Sequence, residues 1–186
     1  MGRVIFLLEE PSMKTFLLEY LPRLVPGWKH EQDFLLIPHE GKSDLDKSLA
    51  NKLRNWREPG ARFMIVRDND GADCRAMKAR LHERCDGLDR KVLVRLICQE
   101  LESWYLGDVE ALERAYPHYG KAAKALTQRF PDPDACQKPS RELERALPDF
   151  QKQDAARRLG RGLRYQDNRS VSLRVFSQGV ERLAKA

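Results

Sequence analysis

Short apolar runs that alternate with helix-like segments over the first hundred residues constrain the fold most strongly. The runs cover residues 3–9, 34–37, 62–66 and 92–98, and the helix-like segments cover residues 12–24, 43–56 and 73–85. The runs are apolar throughout rather than alternately apolar and polar, which is typical of strands buried on both faces. This pattern predicts an α/β fold whose mostly parallel sheet of about four strands is flanked by helices.

The pattern changes near Gly107, after which short helical segments are separated by Pro and Gly. We therefore predict an α/β core at residues 1–107 and a helical extension at residues 108–186 that packs on it. The net charge is −1 over residues 1–110 and +7 over residues 111–186. A basic surface attracts polyanions such as nucleic acids, although a solvated helical face explains the same charge.

Several classes of protein are excluded by what the sequence lacks. No apolar stretch approaches the ~20 residues that a membrane span requires. The first residues have neither the basic start nor the small-residue cleavage motif of a secretion signal. The four cysteines show no CxxC or zinc-ligand spacing. We therefore expect a cytoplasmic protein with reduced thiols.

Acidic residues follow two of the predicted strands directly. The third run ends at Asp68-Asn69-Asp70-Gly71 and the first run ends at Glu9-Glu10. Ligands in open α/β sheets bind at the carboxyl ends of the strands, and Mg²⁺ prefers carboxylate oxygens. If the two strands are parallel neighbours, Glu9, Asp68 and Asp70 converge, with Glu9 as metal ligand or general acid/base. We expect Glu10 to point away, because consecutive residues of a strand face opposite sides.

Other interpretations of these motifs compete with a metal site. The two aspartates could form a turn that caps the next helix. Asp68-Asn69-Asp70-Gly71 also matches the haloacid dehalogenase pattern, in which the first Asp is a nucleophile, but that motif normally follows the first strand. An EF-hand is excluded because the Gly comes too early. His39 and Lys42 are candidates for phosphate contact, although the spacing excludes a P-loop.

Two further groups of charged residues belong to the predicted site. Glu100 and Glu102 follow the fourth run, at the same edge of the sheet, and we expect one of them to face the metal. Seven basic residues in the last part of the chain are candidate nucleic-acid contacts, because arginine binds phosphates with two hydrogen bonds. They are Lys152, Arg157, Arg158, Arg161, Arg164, Arg169 and Arg174.

The chain resembles a Toprim domain and, more specifically, the bacterial Toprim-like family named domain of unknown function 4276. The segments that carry the resemblance are residues 7–12, 38–42, 66–74, 100–108, 168–170 and 174–176. The resemblance implies a Rossmann-like sheet and a Mg²⁺ or Mn²⁺ site formed by Glu9, Asp68 and Asp70, with Glu102 as an additional candidate. Glu10 departs from the Toprim pattern, which commonly has Gly after the glutamate.

Relatives in this group include nuclease modules that work with ATPases in anti-phage defence, some of them with tRNA as target. The leading hypothesis is therefore a Mg²⁺- or Mn²⁺-dependent nuclease that acts on DNA, RNA or tRNA. The second is a non-catalytic effector or regulator that docks on an ATPase partner. The third is a phosphatase of the haloacid dehalogenase type.

Overall fold

Four parallel strands form one sheet in the order β2-β1-β3-β4 in the computed structural model, which describes residues 2–88 and 90–185. The strands are β1 (Val4–Leu8), β2 (Phe34–Pro38), β3 (Arg62–Asp68) and β4 (Val92–Ile97). All three pairings are parallel. The predicted α/β class and the parallel sheet are confirmed.

The helices agree with the predicted alternation up to β4 and then continue without another strand among the described residues. Their bounds are α1 (Pro11–Leu24), α2 (Lys42–Asn55), α3 (Cys74–Glu83), α4 (Glu102–Leu106), α5 (Val109–Ala115), α6 (Gly120–Arg129), α7 (Pro139–Ala146), α8 (Lys152–Gly162) and α9 (Val171–Lys185). Two short 3₁₀ turns, Pro117–Tyr119 and Pro133–Ala135, connect some of them. None of the described helices has the length and apolarity that crossing a membrane requires.

The side chains of each strand alternate between two apolar layers, as the geometry of a pleated strand requires. Phe6 and Leu8 belong to a large cluster that also contains side chains of α1 and of the helices after β4. Ile5 and Leu7 belong to a second cluster with α2 and α3. We call the first side the C-terminal face, after the C-terminal helices that cover it, and the second the α2/α3 face. The C-terminal face is one of the two flat sides of the sheet and is distinct from the edge formed by the carboxyl ends of the strands. The sheet is therefore covered on both sides, as its apolar strands predict.

The helices after β4 share the core of the sheet. The cluster on the C-terminal face joins Phe16 and Trp104 to Leu159 and Phe176, none of them more than 1 % exposed. Gly160 lets α8 lie directly on α1, because a Cβ atom there would be 2.6 Å from the carbonyl oxygen of Phe16. The C-terminal helices thereby bring their own polar residues to the carboxyl end of the sheet.

Candidate functional site

The acidic residues lie at the carboxyl ends of β1 and β3, the two strands between which the strand order of the sheet reverses. β2 lies on one side of β1, and β3 and β4 lie on the other. In open α/β sheets, such a reversal leaves a crevice at the carboxyl ends of the two strands, where ligands bind. Glu9 and Glu10 follow β1, and Asp68 ends β3. The topology therefore supports a site at the position where the sequence predicts one.

Glu9, which follows β1, and Asp68, which ends β3, point to opposite faces of the sheet. The backbone N–H of Asp68 donates to Glu9 Oε2 at 3.2 Å, so the two residues are in contact. The Glu9 side chain nevertheless lies on the α2/α3 face, with Arg67 Nε 3.7 Å from Glu9 Oε2. Asp68 follows Val66 and lies on the C-terminal face. The structure thus brings Glu9 beside Asp68 without joining their carboxylates.

Asp68 and Glu102 form the centre of the C-terminal face of the site. Asp68 is 7 % exposed and Glu102 is 1 % exposed. Asp68 Oδ1 and Glu102 Oε2 are both buried and accept no hydrogen bond from any described residue, and the hydroxyl of Tyr105 is unpartnered as well. Unpartnered buried polar atoms are rare in proteins, and each calls for an explanation such as an ion.

Glu10 completes what we call the carboxylate cluster, which consists of Glu10, Asp68 and Glu102. Burial raises the pKa of Asp68 well above its usual range, and among the charges that add to this rise Glu10 has the largest effect, followed by Glu9 and Glu102. Glu10 also raises the pKa of Glu102. The expectation that Glu10 points away from Asp68 is therefore not what the structure shows. Strand alternation puts Glu10 and Asp68 on one face.

Ionisation of the buried carboxylates in the cluster is unfavourable. Burial raises the pKa of Glu102 to about 7, although the ammonium of Lys152 opposes the rise. Lys152 Nζ lies 3.8 Å from Glu102 Oε1. Burial alone would lower the pKa of Lys152, but Glu102, Glu10 and the other acids raise it. One ammonium therefore faces several carboxylates, and a further cation would relieve their repulsion.

Glu9 and Asp70 belong to a chain of ion pairs on the other side of the site. Arg67 Nη1 pairs with Asp46 Oδ1 at 2.6 Å, and its Nε lies near Glu9. Asp70 Oδ2 pairs with Lys42 Nζ at 2.9 Å. Burial raises the pKa of Glu9 to about 7, with Arg67 opposing and Asp70 adding to the rise. A carboxyl group that titrates near neutral pH suits general acid/base chemistry.

The loop after β3 is held by Asn69 rather than by the two aspartates. Asn69 Oδ1 accepts from the N–H groups of Gly71 at 3.2 Å and of Gln99 at 2.5 Å. The helix cap is Asp73, whose Oδ1 accepts from Ala76 N–H at 2.6 Å. Asp70 has a left-handed backbone with φ of 49°. Turn and cap chemistry therefore explains Asn69 and Asp73, and leaves Asp68 and Asp70 for another role.

His39 has a structural role in this arrangement. Its Nδ1 lies 2.8 Å from the carbonyl oxygen of Leu8, and its Nε2 lies 2.9 Å from Lys52 Nζ. The residue is 2 % exposed. Of the two candidates for phosphate contact in this loop, only Lys42 is accessible, and it is paired with Asp70.

The seven predicted nucleic-acid contacts are divided between the surface and the interior. Arg158, Arg161 and Arg164 are exposed and form ion pairs with Asp154, Glu19 and Glu110 respectively. Arg157 is exposed as well. Arg169 is half-buried and donates to the carbonyl oxygens of Leu106, Thr127 and Pro131, and Arg174 donates to that of Asn168. Lys152 faces Glu102. The interior contacts of Arg169 and Arg174 fix the loop that leads into α9.

Sequence reasoning missed Tyr105 and the role of Glu10. Tyr105 is fully buried, and its hydroxyl has no hydrogen-bond partner among the described residues. Burial, followed by the charges of Glu102 and Glu10, raises its pKa well above the usual range. The signal for Glu10 was present in the alternation of β1, since Leu8 pairs with Val66 and the residues two further along share their face. Nothing in the sequence separates Tyr105 from an ordinary core aromatic.

The donor set of the cluster fits a hard divalent cation. Carboxylate and phenol oxygens suit Mg²⁺ or Mn²⁺, and Mg²⁺ commonly keeps several waters while binding only one or two carboxylates. Among residues 2–88 and 90–185, no group of three or more His, Cys, Asp or Glu side chains is arranged so that it could hold a metal ion. The residues that could hold a cation are Asp68 and Glu102, which have the free oxygens, with Glu10 beside them.

Comparison with known families identifies the chain. The family described as "Domain of unknown function (DUF4276)" matches residues 8–184, which is nearly the whole chain, so the protein belongs to that family. A search of curated proteins and a search of solved structures found no match. The matched range includes β3, the carboxylate cluster and the C-terminal helices.

Proposed function

We propose that this DUF4276 protein is a Toprim-like, Mg²⁺- or Mn²⁺-dependent nuclease that hydrolyses phosphodiester bonds of nucleic acids. The observation that carries the proposal is a pair of buried oxygens without hydrogen-bond partners among the described residues, Asp68 Oδ1 and Glu102 Oε2. They lie beside Glu10, at the position where the strand order of the parallel sheet reverses. A link to an ATPase in anti-phage defence follows from the family resemblance alone and belongs to the same proposal.

The cluster would hold the metal, and the flanking groups would handle protons and charge. Asp68 and Glu102 would hold the cation, with Glu10 as a third carboxylate beside them. When bound, the divalent ion supplies Lewis-acid stabilisation of the scissile phosphate and lowers the pKa of a water. Lys152 holds Glu102 in place from α8. Its ammonium also limits the excess negative charge that would repel a phosphate.

Glu9 and Asp70 serve the reaction from the other face of the site. Glu9 has a pKa of about 7 and can accept a proton from an attacking water or return one to a leaving oxygen. Asp70 is 37 % exposed at the tip of the loop and is paired with Lys42. Binding of a substrate phosphate by Lys42 would release Asp70 as an additional ligand of the metal.

Titration calorimetry with Mn²⁺ and Mg²⁺ tests the metal site, and a cleavage assay tests the activity. Wild type, Asp68→Asn and the exposed control Asp167→Asn are compared, since both changes remove one carboxylate charge. We expect saturable binding in wild type and in the control but not in Asp68→Asn. Cleavage of DNA, RNA or tRNA should then require Mn²⁺ or Mg²⁺ and be lost in the same variant.

Three other results would contradict the proposed nuclease or its metal site. A wild type that binds no Mn²⁺ and cleaves nothing, but copurifies with an ATPase, would contradict the nuclease and favour a regulator. Hydrolysis of para-nitrophenyl phosphate without cleavage of any nucleic acid would favour a phosphatase with Asp68 as nucleophile. Cleavage that persists at full rate in Asp68→Asn would remove this cluster from the mechanism.

A further inference from the structure

A basic cleft lies between the end of α6, the 3₁₀ turn at Pro133–Ala135 and α7. Its volume is about 460 Å³. The side chains that matter here are Arg129, Phe130, Lys138, Arg141, Glu142 and Arg145. Four of them are cations, against one carboxylate. We call this the α6/α7 cleft, and it does not include any of the seven basic residues discussed above.

The cations of the cleft are held in place yet remain accessible. Glu142, whose side chain is 14 % exposed, pairs with Arg129 at 2.8 Å and with Arg145 at 3.4 Å, and the two arginines are 60 % and 73 % exposed. Arg129 also lies over the ring of Phe130, with its guanidinium carbon 4.8 Å from the ring centre. Arg141 is exposed. One partly buried acid thus pairs with two arginines that remain largely exposed.

The cleft is attached to the same loop that leads into the carboxylate cluster. The N–H and the hydroxyl of Ser140 both donate to Glu100 Oε2, at 3.0 and 2.6 Å. Lys138 Nζ lies 3.7 Å from Glu100 Oε1. Glu100 precedes Glu102 by two residues in the chain. The α6/α7 cleft is therefore joined, through Glu100, to the segment that contains Glu102.

We propose that the α6/α7 cleft binds the phosphodiester backbone of the substrate, an unpaired nucleic-acid strand. This assignment rests on the proposed function. Oriented guanidinium groups bind phosphate oxygens with two hydrogen bonds, and a basic groove with an aromatic ring at its side is typical of single-strand binding. The contacts involve the backbone, so the cleft does not distinguish base sequence.

Fluorescence anisotropy tests the cleft separately from catalysis. The probe is a labelled single strand of roughly 15 nucleotides, DNA in one series and RNA in another, in EDTA so that no metal-dependent cleavage occurs. The test variant is Arg141→Glu/Arg145→Glu. The control is Lys47→Glu/Arg54→Glu, which makes the same charge change at exposed positions of α2, on the opposite face of the sheet. Thermal unfolding checks that both variants fold.

We expect the test variant to bind at least about tenfold more weakly, and the control within about twofold of wild type. The slope of log affinity against log salt should fall by roughly 1.4 in the test variant, since each lost phosphate contact on a single strand removes about 0.7. Equal losses in the two variants, or no loss in either, would show that general charge is responsible and would overturn the assignment. A wild type that binds neither strand would overturn it too.

Competition and a parallel cleavage assay separate the remaining outcomes. Inorganic phosphate or a mononucleotide that displaces the strand as well as an unlabelled strand does, at equal phosphate, would contradict a strand-binding cleft. Cleft-dependent binding without cleavage under Mn²⁺ would refute the proposed nuclease and leave the cleft intact. Cleavage that needs Asp68 but not Arg141 and Arg145 would refute the cleft and leave the nuclease intact.

Discussion

The carboxylates of Asp68 and Glu102 are both buried, and each has one oxygen without a hydrogen-bond partner among the described residues. Asp68 ends β3 and Glu102 opens α4, so the arrangement depends on the pairing of β3 with β4. Burial raises both pKa values, and the charges of the neighbouring carboxylates add to the rise. The free energy stored in this repulsion is available to a bound cation, and most of the following predictions derive from it.

Replacement of Asp68 by Asn removes a buried charge and keeps the shape of the side chain. In EDTA at pH 8 we therefore expect Asp68→Asn to unfold at a higher temperature than wild type. Nucleic-acid cleavage should fall by about 100-fold or more, equivalent to about 2.7 kcal/mol of lost transition-state stabilisation. Added Mn²⁺ should stabilise wild type but not the variant, which differential scanning fluorimetry measures. A variant that is less stable in EDTA and still gains stability from Mn²⁺ would contradict the prediction.

Glu102 makes the stability of the metal-free protein depend on pH. Its pKa is raised from 4.5 to about 7, so the folded state binds the proton more tightly than the unfolded chain. The contribution of Glu102 to the free energy of unfolding is fully present below pH 4.5 and is lost as the pH rises through 7. The loss is on the order of 3 kcal/mol. Glu102→Gln should flatten this part of the profile, as urea unfolding in EDTA at pH 5 and pH 8 would show. Equal pH dependence in the two proteins would argue against a buried charge at Glu102.

Lys152 is expected to matter most when Glu102 is ionised. Lys152→Met keeps the aliphatic stem but leaves the Glu102 carboxylate without its nearby ammonium. We expect a loss of about 1–3 kcal/mol at pH 8 and a smaller loss at pH 5, where Glu102 is protonated. Lys124→Met, at an exposed position of α6, is the control and should be neutral at both pH values. A pH-independent loss in Lys152→Met would indicate a packing role only.

Arg169 should contribute to stability rather than to nucleic-acid binding. Its guanidinium donates to three carbonyl oxygens, those of Leu106, Thr127 and Pro131, at 2.8, 3.0 and 3.3 Å. Arg169→Ala removes these hydrogen bonds, of which the two to Leu106 and Thr127 are partly buried, and should cost about 2–3 kcal/mol in urea unfolding. Arg157→Ala removes an exposed arginine and should change stability by less than about 0.5 kcal/mol. Equal effects of the two changes would contradict the interior role.

Gly160 permits the close contact between α8 and α1. Gly160→Ala would bring a methyl group against the Phe16 carbonyl and the Glu19 side chain, at 2.6 and 3.0 Å, so the helices must move apart. We expect a loss of about 1–3 kcal/mol. Gly162→Ala, in the same helix and with nothing within 4 Å, is the matched control and should be neutral or slightly stabilising. The difference between the two variants in thermal unfolding measures the contact itself.

The strands and helices up to β4 follow from the sequence because local patterns decide them. Uniformly apolar runs, Pro-Gly breaks and polar caps act over a few residues, and the predicted ends agree with the structure to within a few residues. The placement of acids at one edge of the sheet also follows, since the carboxyl ends of parallel strands meet there. The orientation of each acid at that edge depends on strand pairing and on the helix that covers it.

Tyr105 and Lys152 could not be predicted as parts of the cluster for this reason. In the sequence, Tyr105 has the features of any buried aromatic residue. Its hydroxyl becomes of interest only because the charges of Glu102 and Asp68 help to raise its pKa. Lys152 reaches Glu102 because α8 packs on α1, a contact between residues far apart in the chain. In the same way, Arg169 reads as a surface cation until its carbonyl partners are known.

The contact of α8 with α1 also has a consequence for protein synthesis. A nascent chain that ends before α8 has its sheet but exposes Phe16 and Trp104, and Glu102 has no ammonium beside it. The hydrophobic cover and the electrostatic partner arrive together, with residues 152–162. A chain truncated before residue 152 would therefore lack both the apolar cover of α1 and the cation beside Glu102.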